Sequence, residues 1–450
     1  MLTAIHYMVS ILSMSPVTSP GNLARKSAES LLTVLSFIVF FFLDFIELLL
    51  CLMYRYLDEY FEGKASACCC KGKEEGNGVG GGENELSETL YGRGNVFREM
   101  GFLKFERKLR FCRKEGDSVR GGLMVNSWSD CGCESCVQWM NGDKLHVVVR
   151  KPSGDHPEDP NERSMENVIF LHGFLSSSSF WTDSVFPNLS EPVKRNYRLF
   201  AVDLLGFGRS PKPRDSFYTL RDHIEMIEKS VICPYDLQSF HVVAHSMGCI
   251  VALALSAKYC KSVKSITLVA PPYFPSAKDG ASLAVLTRLA KRRLWPPSMF
   301  GAAFMSWYEH LGRCVCLVYC RNHGMWEKIL RILTRKRELH FFIVDLPRHT
   351  HRSAWYIMHN VICGGAKFAD DFLEVLTKCG RKICVIQGDG DQVVPLECIN
   401  NIKTKAPDVE VTIVANADHC TVIRGREKAF TQYIEQIWAS IGDCFKDGTT

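Results

Sequence analysis

From about residue 165 onward, short apolar runs alternate with helix-length segments. The runs are Asn167–Leu171 (NVIFL), Arg198–Val202 (RLFAV), Phe240–Ala244 (FHVVA), Ser265–Val269 (SITLV), Lys382–Gln387 (KICVIQ) and Val409–Val414 (VEVTIV). Apolar on consecutive positions, they predict strands covered on both faces, and their alternation with helices predicts a mostly parallel sheet with crossover helices. The last helical segment, AFTQYIEQIWASI, brings Phe430, Tyr433, Ile434, Ile437, Trp438 and Ile441 to one face, which should pack on that sheet. Upstream, CVQWM and KLHVVVR flank Asn141-Gly142, a two-residue turn signal, so Cys136–Arg150 reads as a β-hairpin that opens the folded domain.

The first 120 residues follow another pattern. Leu31–Tyr54 is an apolar run long enough at helical rise to cross a hydrocarbon core, interrupted by Asp44 and Glu47. An Asp at mid-membrane costs roughly 2.5–3.5 kcal/mol, so a clean single span is weaker than the length alone implies. A signal-anchor is the first reading, with a cleaved signal and an interfacial helix as competitors. No small-x-small cleavage site immediately follows the run, and Arg25 and Lys26 before it are matched by Arg55 and Lys64 after it, so orientation stays open. Ala65–Glu85 is rich in glycine and charge and reads as a flexible tether, with Cys68, Cys69 and Cys70 as S-acylation candidates or plain thiols.

Composition narrows the picture less than the pattern does. A chain with 46% hydrophobic and 23% charged residues and a net charge of +5 carries no nucleic-acid signature, and 20 irregularly spaced cysteines leave the redox compartment open. Cys131, Cys133 and Cys136 form C-x-C-x-x-C without a fourth ligand nearby in the sequence, so a local disulfide or packed loop is favoured over zinc, with Cys112 the nearest spare thiol. Asn188-Leu189-Ser190 is an N-glycosylation acceptor.

The expected organisation is an amino-terminal segment 1–64 carrying the anchor or signal 31–54, a linker 65–120, a cysteine-rich segment 121–136, a core in two parts (137–274 and 378–445), and a helical cap 275–377 between them. From Lys278 to Lys367 the cap holds fifteen Lys and Arg against five Asp and Glu, interleaved with aromatic residues. That mixture points to an anionic amphiphile or a membrane face; a solvated basic surface is the plain alternative.

In open α/β sheets the working loops follow the carboxyl ends of the strands. After the first strand comes His172-Gly173-Phe174, where glycine lets the chain turn and the next amide face an oxyanion. After the second comes DLLGFGRSPKP (Asp203–Pro213), a tight glycine loop. After the third comes Ala244-His245-Ser246-Met247-Gly248, a nucleophile elbow with alanine where glycine is usual, running into a predicted amphipathic helix. Asp391 follows the fifth strand in G-x-x-D-x-x-x-P (Gly388, Asp391, Pro395) and is preferred to Asp389; His419 follows the sixth. Ser246, Asp391 and His419 thus stand in the order of a hydrolase triad: nucleophile, orienting acid and base. Met247 and Phe174 are the expected oxyanion donors, and neither metal nor cofactor is called for.

These motifs, HGF, DLLGFGRS, AHSMG, GDGDQVVP and ADHC, resemble the α/β-hydrolase superfamily over about two-thirds of the chain, from Gln138 to Ser440. AHSMGCIVALALSAKY, the cysteine-rich segment and the hydrophobic amino terminus are similar to the plant BODYGUARD group of lysophospholipase-like hydrolases. That resemblance implies an α/β-hydrolase fold, a part in building the cuticle from cutin or related lipid polyesters, and a membrane-anchored or secreted location at the plasma membrane or wall of epidermal cells. The leading expectation is a serine esterase acting on lipid acyl esters, associated with membrane through its amino-terminal segment. An acyltransferase using the same triad and a non-catalytic lipid-binding scaffold are the alternatives.

Overall fold

The computed structural model describes residues 22–63, 86–91, 93–100, 127–153, 165–274 and 280–444. The tether and Cys112 lie outside them. The chain divides into two compact units, one made of 1–79, 90–133 and 286–322, the other of 80–89, 134–285 and 323–450. Residues 286–322, inside the stretch read as a cap, therefore cluster with the amino-terminal segment.

The second unit is built on a seven-stranded sheet: β1 (Val147–Arg150), β2 (Glu166–Leu171), β3 (Tyr197–Val202), β4 (Phe240–His245), β5 (Val263–Val269), β6 (Lys382–Gly388) and β7 (Glu410–Val414). Their order is β1-β3-β2-β4-β5-β6-β7. All neighbours are parallel except β1, which runs antiparallel to β3. This is an α/β-hydrolase fold. The chain turns from one side of β2 to the other between β3 and β4, the reversal beside which ligand loops of open sheets converge.

The six predicted strands appear where expected; the hairpin does not. CVQWM lies in a helix, Glu134–Met140, with Cys136 and Met140 buried one turn apart. Asn141 ends that helix by donating its side-chain amide to the Val137 carbonyl (2.8 Å), and the Gly142 amide bonds to Trp139 (3.2 Å). Asn-Gly here serves as a helix stop, not a two-residue hairpin turn, and β1 takes the distant β3 as its partner.

One face of the sheet is covered by Ser179–Ser184 and Glu427–Cys444. Phe430, Ile434, Ile437, Trp438 and Ile441 of the last helix join Val168, Phe170, Val243 and Ile386 in one buried cluster, with Tyr433 at its margin. Each large side chain buried there stabilises the unit by roughly 1.5–3 kcal/mol. The helix after the elbow, Met247–Lys258, differs from expectation: it is buried from Met247 to Ser256 without a polar face, because it is packed against both β4 and β5 and other helices.

In the first unit one helix spans Asn22–Glu62, and Glu29–Glu62 is long and apolar enough to cross a membrane. The acids that interrupted its apolar run point into protein. Asp44 accepts hydrogen bonds from Arg292 Nη2 (2.5 Å) and the Tyr308 hydroxyl (2.8 Å). Glu47 accepts from the amides of His310 and Leu311 and faces His310 Nδ1 at 2.9 Å. Asp58 is forked by Arg313 (2.8 and 2.7 Å) and bonded by Trp128 Nε1 (2.6 Å). Two cations of the basic stretch, Arg292 and Arg313, are thus internal partners and not a docking surface.

Candidate active site

β4 ends in the elbow, and Ser246 takes φ 54° and ψ −125° there. Positive φ is costly for a residue with a side chain and persists only where surrounding packing fixes it. The turn is tight: a Cβ at Gly248 would lie 2.6 Å from the His172 carbonyl oxygen and 2.8 Å from that of Leu171. Ala244, at the other end of the elbow, is fully buried in the central strand, where its single methyl is accommodated.

The loops after β6 and β7 bring the acid and the histidine to the serine. His419 Nδ1 lies 2.8 Å from Asp391 Oδ2, and His419 Nε2 lies 2.9 Å from Ser246 Oγ. Against an ionised carboxylate the Nδ1 position carries the proton, so Nε2 of the neutral ring is free to accept from the serine hydroxyl. The two loops touch closely enough that a Cβ at Gly388 would fall 2.3 Å from the Ala417 oxygen, which explains the glycine of the G-x-x-D spacing.

Asp391 is buried but well supplied with donors. Val393 and Val394 give their amides to Oδ1 (2.8 and 2.9 Å), and Gln387 Nε2 reaches Oδ2 at 3.0 Å. Burial alone would raise its pKa; the bond and charge of His419 and the two amides outweigh burial and hold the carboxyl below its ordinary value. Gln387 was not singled out in the sequence, since it reads there only as the last residue of a strand. Asp389 instead accepts the Ala417 amide at 3.3 Å and so fixes the histidine loop.

The histidines near the site do different work. His172 is fully buried, with Nδ1 2.7 Å from the Gly173 carbonyl and Nε2 accepting the Leu204 amide at 2.9 Å, so its ring ties the first loop to the second. Gly173 itself comes beside Ser246: a Cβ there would lie 3.2 Å from Ser246 Cβ. His245 donates from Nε2 to the His419 carbonyl (2.9 Å) and stacks on Phe180. Burial, and then the neighbouring His419, push its pKa down to about 3, so it stays neutral.

Asp203, at the end of β3, joins the first two loops. Its carboxylate accepts the Ser178 amide (2.6 Å) and the Arg209 amide (2.8 Å), with His146 Nδ1 at 3.2 Å. Burial would raise its pKa, but the nearby His146, the charge of His172 and those amides hold it far below the ordinary carboxylate range. Near it, Ser177 donates to Asp345 at 2.6 Å; burial pushes the Asp345 carboxyl up. In the cysteine-rich segment, the fold sets His323 Nε2 3.4 Å from Cys136 Sγ, an imidazole that local sequence could not supply.

His223 gives a pH prediction. It is fully buried, neither ring nitrogen has a hydrogen-bond partner among the described residues, and burial, then His172, push its pKa down to about 3. The unfolded chain takes up this proton near pH 6.5 while the folded one refuses it until about 3. Stability attributable to this neutral ring is therefore intact above pH 6.5 and lost as pH falls towards 3, by up to about 1.4 kcal/mol per pH unit. His223→Leu should flatten the decline by that one group's share, as read by urea unfolding at pH 7, 6 and 5.

This row of serine, histidine and aspartate at the carboxyl end of a parallel sheet belongs to the α/β-hydrolase class, and residues 166–304 match the family model described as alpha/beta hydrolase fold. The chain belongs to the BODYGUARD family. It is 53% identical over 421 residues to "Probable lysophospholipase BODYGUARD 4" of Arabidopsis thaliana, covering 92% of this chain and 99% of that protein. It is 52% identical over 420 residues to "Probable lysophospholipase BODYGUARD 5" of the same plant, covering 90% and 94%. Similarity to "Probable lysophospholipase BODYGUARD 1" is 38% over 462 residues, 91% of this chain and 97% of that one.

Proposed function

We propose that the protein is a serine hydrolase of lipid acyl esters working through an acyl-enzyme. The observation that carries this reading is the continuous row Ser246 Oγ, His419, Asp391 at 2.9 and 2.8 Å. His419 Nε2 takes the hydroxyl proton as Ser246 Oγ bonds to the acyl carbon, and the carbonyl oxygen becomes an oxyanion. The backbone amides of Met247, first residue of the elbow helix, and Phe174 are its proposed donors. His419 then passes the proton to the leaving alcohol as the ester C–O bond breaks. A water attacks the acyl-serine, giving its proton to His419, and the same proton returns to Ser246 as the fatty acid leaves. Asp391, held ionised by its four donors, fixes the ring and offsets the imidazolium charge.

The lipid character of the substrate is supported by the names of the BODYGUARD relatives and by apolar surroundings. Phe341 and Phe342, from the insertion, pack against Phe180 beside His245. A cap over Ser246 drawn from this part of the insertion is included in the proposal, as are a setting in cuticle formation and a membrane-anchored or secreted location at the plant cell surface. A fluorophosphonate probe tests the chemistry: it should add one phosphonyl group, located by peptide mass on Ser246. Folded protein that leaves Ser246 unlabelled would sink the enzyme reading.

A further inference from the structure

The amino-terminal helix has two unlike sides. Phe40, Asp44, Glu47, Tyr54 and Asp58, spaced three, four or seven apart, are buried, and Phe40 joins Ala303 and Tyr308 in an apolar cluster. The opposite side is covered only where Phe41 and Phe45 meet Phe97, and among the described residues from Val34 to Met53 every exposed position is apolar, Phe37 reaching 70% exposure and Phe42 59%. Twenty residues at helical rise are about 30 Å, the thickness of a hydrocarbon core.

We propose that this helix is a permanent part of the folded protein and that its outward face from Val34 to Met53 is seated in a lipid bilayer, with Lys291, Arg293 and Trp295 at headgroup level. Permanence follows from the carboxylates. Cutting the helix away as a signal would take Asp58 from Arg313, whose side chain is only 12% exposed, along with both arms of the fork that neutralises it. It would likewise strip Asp44 from Arg292 and Glu47 from His310. The acids that make a lone span expensive are the ones this unit turns inward and satisfies.

The occupant follows from what the outward face lacks. A protein interface carries a polar rim and roughly one hydrogen bond per 100–200 Å², whereas this face has no polar group over its whole length. The flanking chain matches a lipid boundary. In Lys291–Trp295 alternate residues point out: Lys291, Arg293 and Trp295 are exposed, while Arg292 reaches Asp44 and the Leu294 amide bonds to Ser36 Oγ at 3.2 Å. Two cations and a tryptophan are thereby fixed beside the start of the apolar face, the composition that anchors protein at an anionic leaflet.

Flotation of the full-length protein with vesicles of phosphatidylcholine and phosphatidylserine tests this. Wild-type protein should float, and the variant F37Q/F42Q/L49Q/L52Q should lose at least tenfold in bound fraction while keeping its thermal midpoint. K291E/R293E should lose the preference for phosphatidylserine vesicles over pure phosphatidylcholine. If the quadruple variant unfolds, the charge variant decides alone. Flotation of a folded quadruple variant at the wild-type level, or an unchanged lipid preference in K291E/R293E, would overturn the lipid face. A native amino terminus beyond Asp58, read by mass spectrometry of protein isolated from its own membranes, would overturn permanence.

Discussion

Ser246→Ala is expected to lower turnover of an acyl ester by about 10⁶-fold, and Asp391→Asn by about 10⁴-fold, with the fold intact in both. The serine is the only group on the row that can form the acyl bond. The aspartate acts one step away. Asparagine at 391 can present its amide nitrogen to His419 Nδ1, which then accepts, moving the ring proton to Nε2 where it can no longer receive one from Ser246. The two losses should not add: Ser246→Ala/Asp391→Asn should be no slower than Ser246→Ala alone, since both disable one device. Steady-state hydrolysis of a chromogenic acyl ester, with circular dichroism as the control for folding, measures all three. Additive losses would mean that the residues do not act as a unit.

Asp58→Ala should destabilise the first unit by about 3–5 kcal/mol, because it leaves a largely buried guanidinium without its carboxylate and removes the acceptor of Trp128 Nε1. Asp58→Ala/Arg313→Met should recover much of that loss, since removing both charges removes the penalty of burying either. Chemical unfolding followed by tryptophan fluorescence separates the variants. An Asp58→Ala protein as stable as wild type would show that water or another carboxylate reaches Arg313 without rearrangement.

The central sheet was legible because its strands are short runs of consecutive apolar residues, a pattern that neither a surface helix nor a loop produces. The meeting of Ser246, Asp391 and His419 was legible for a related reason: each follows one of those runs, and a parallel sheet sends every such loop to the same edge. What escaped was whatever depends on a partner far away in the chain. CVQWM is too short for periodicity to separate strand from helix, and Asn141-Gly142 ends either one. The elbow helix looked amphipathic because its coverage on all sides comes from elements the local sequence cannot show. Asp44 and Glu47 looked like misplaced charges until Arg292 and His310, 248 and 263 residues on, were brought to them. Gln387 gave no signal at all, since an amide at a strand end is ordinary until an aspartate folds back onto it.

The discontinuity of the first unit sets an order of events during synthesis. Arg292 emerges 248 residues after Asp44, so at about 5–20 residues per second the helix waits on the order of 10–50 seconds for the cation that completes it. Through that interval Asp44, Glu47 and Asp58 are without Arg292, His310 and Arg313, and most of the sheet is being made in between. If its outward face is seated in lipid as proposed, the helix enters the bilayer before the rest of its unit exists. Its biogenesis should fail at that stage when the interval is lengthened or the bilayer is withheld.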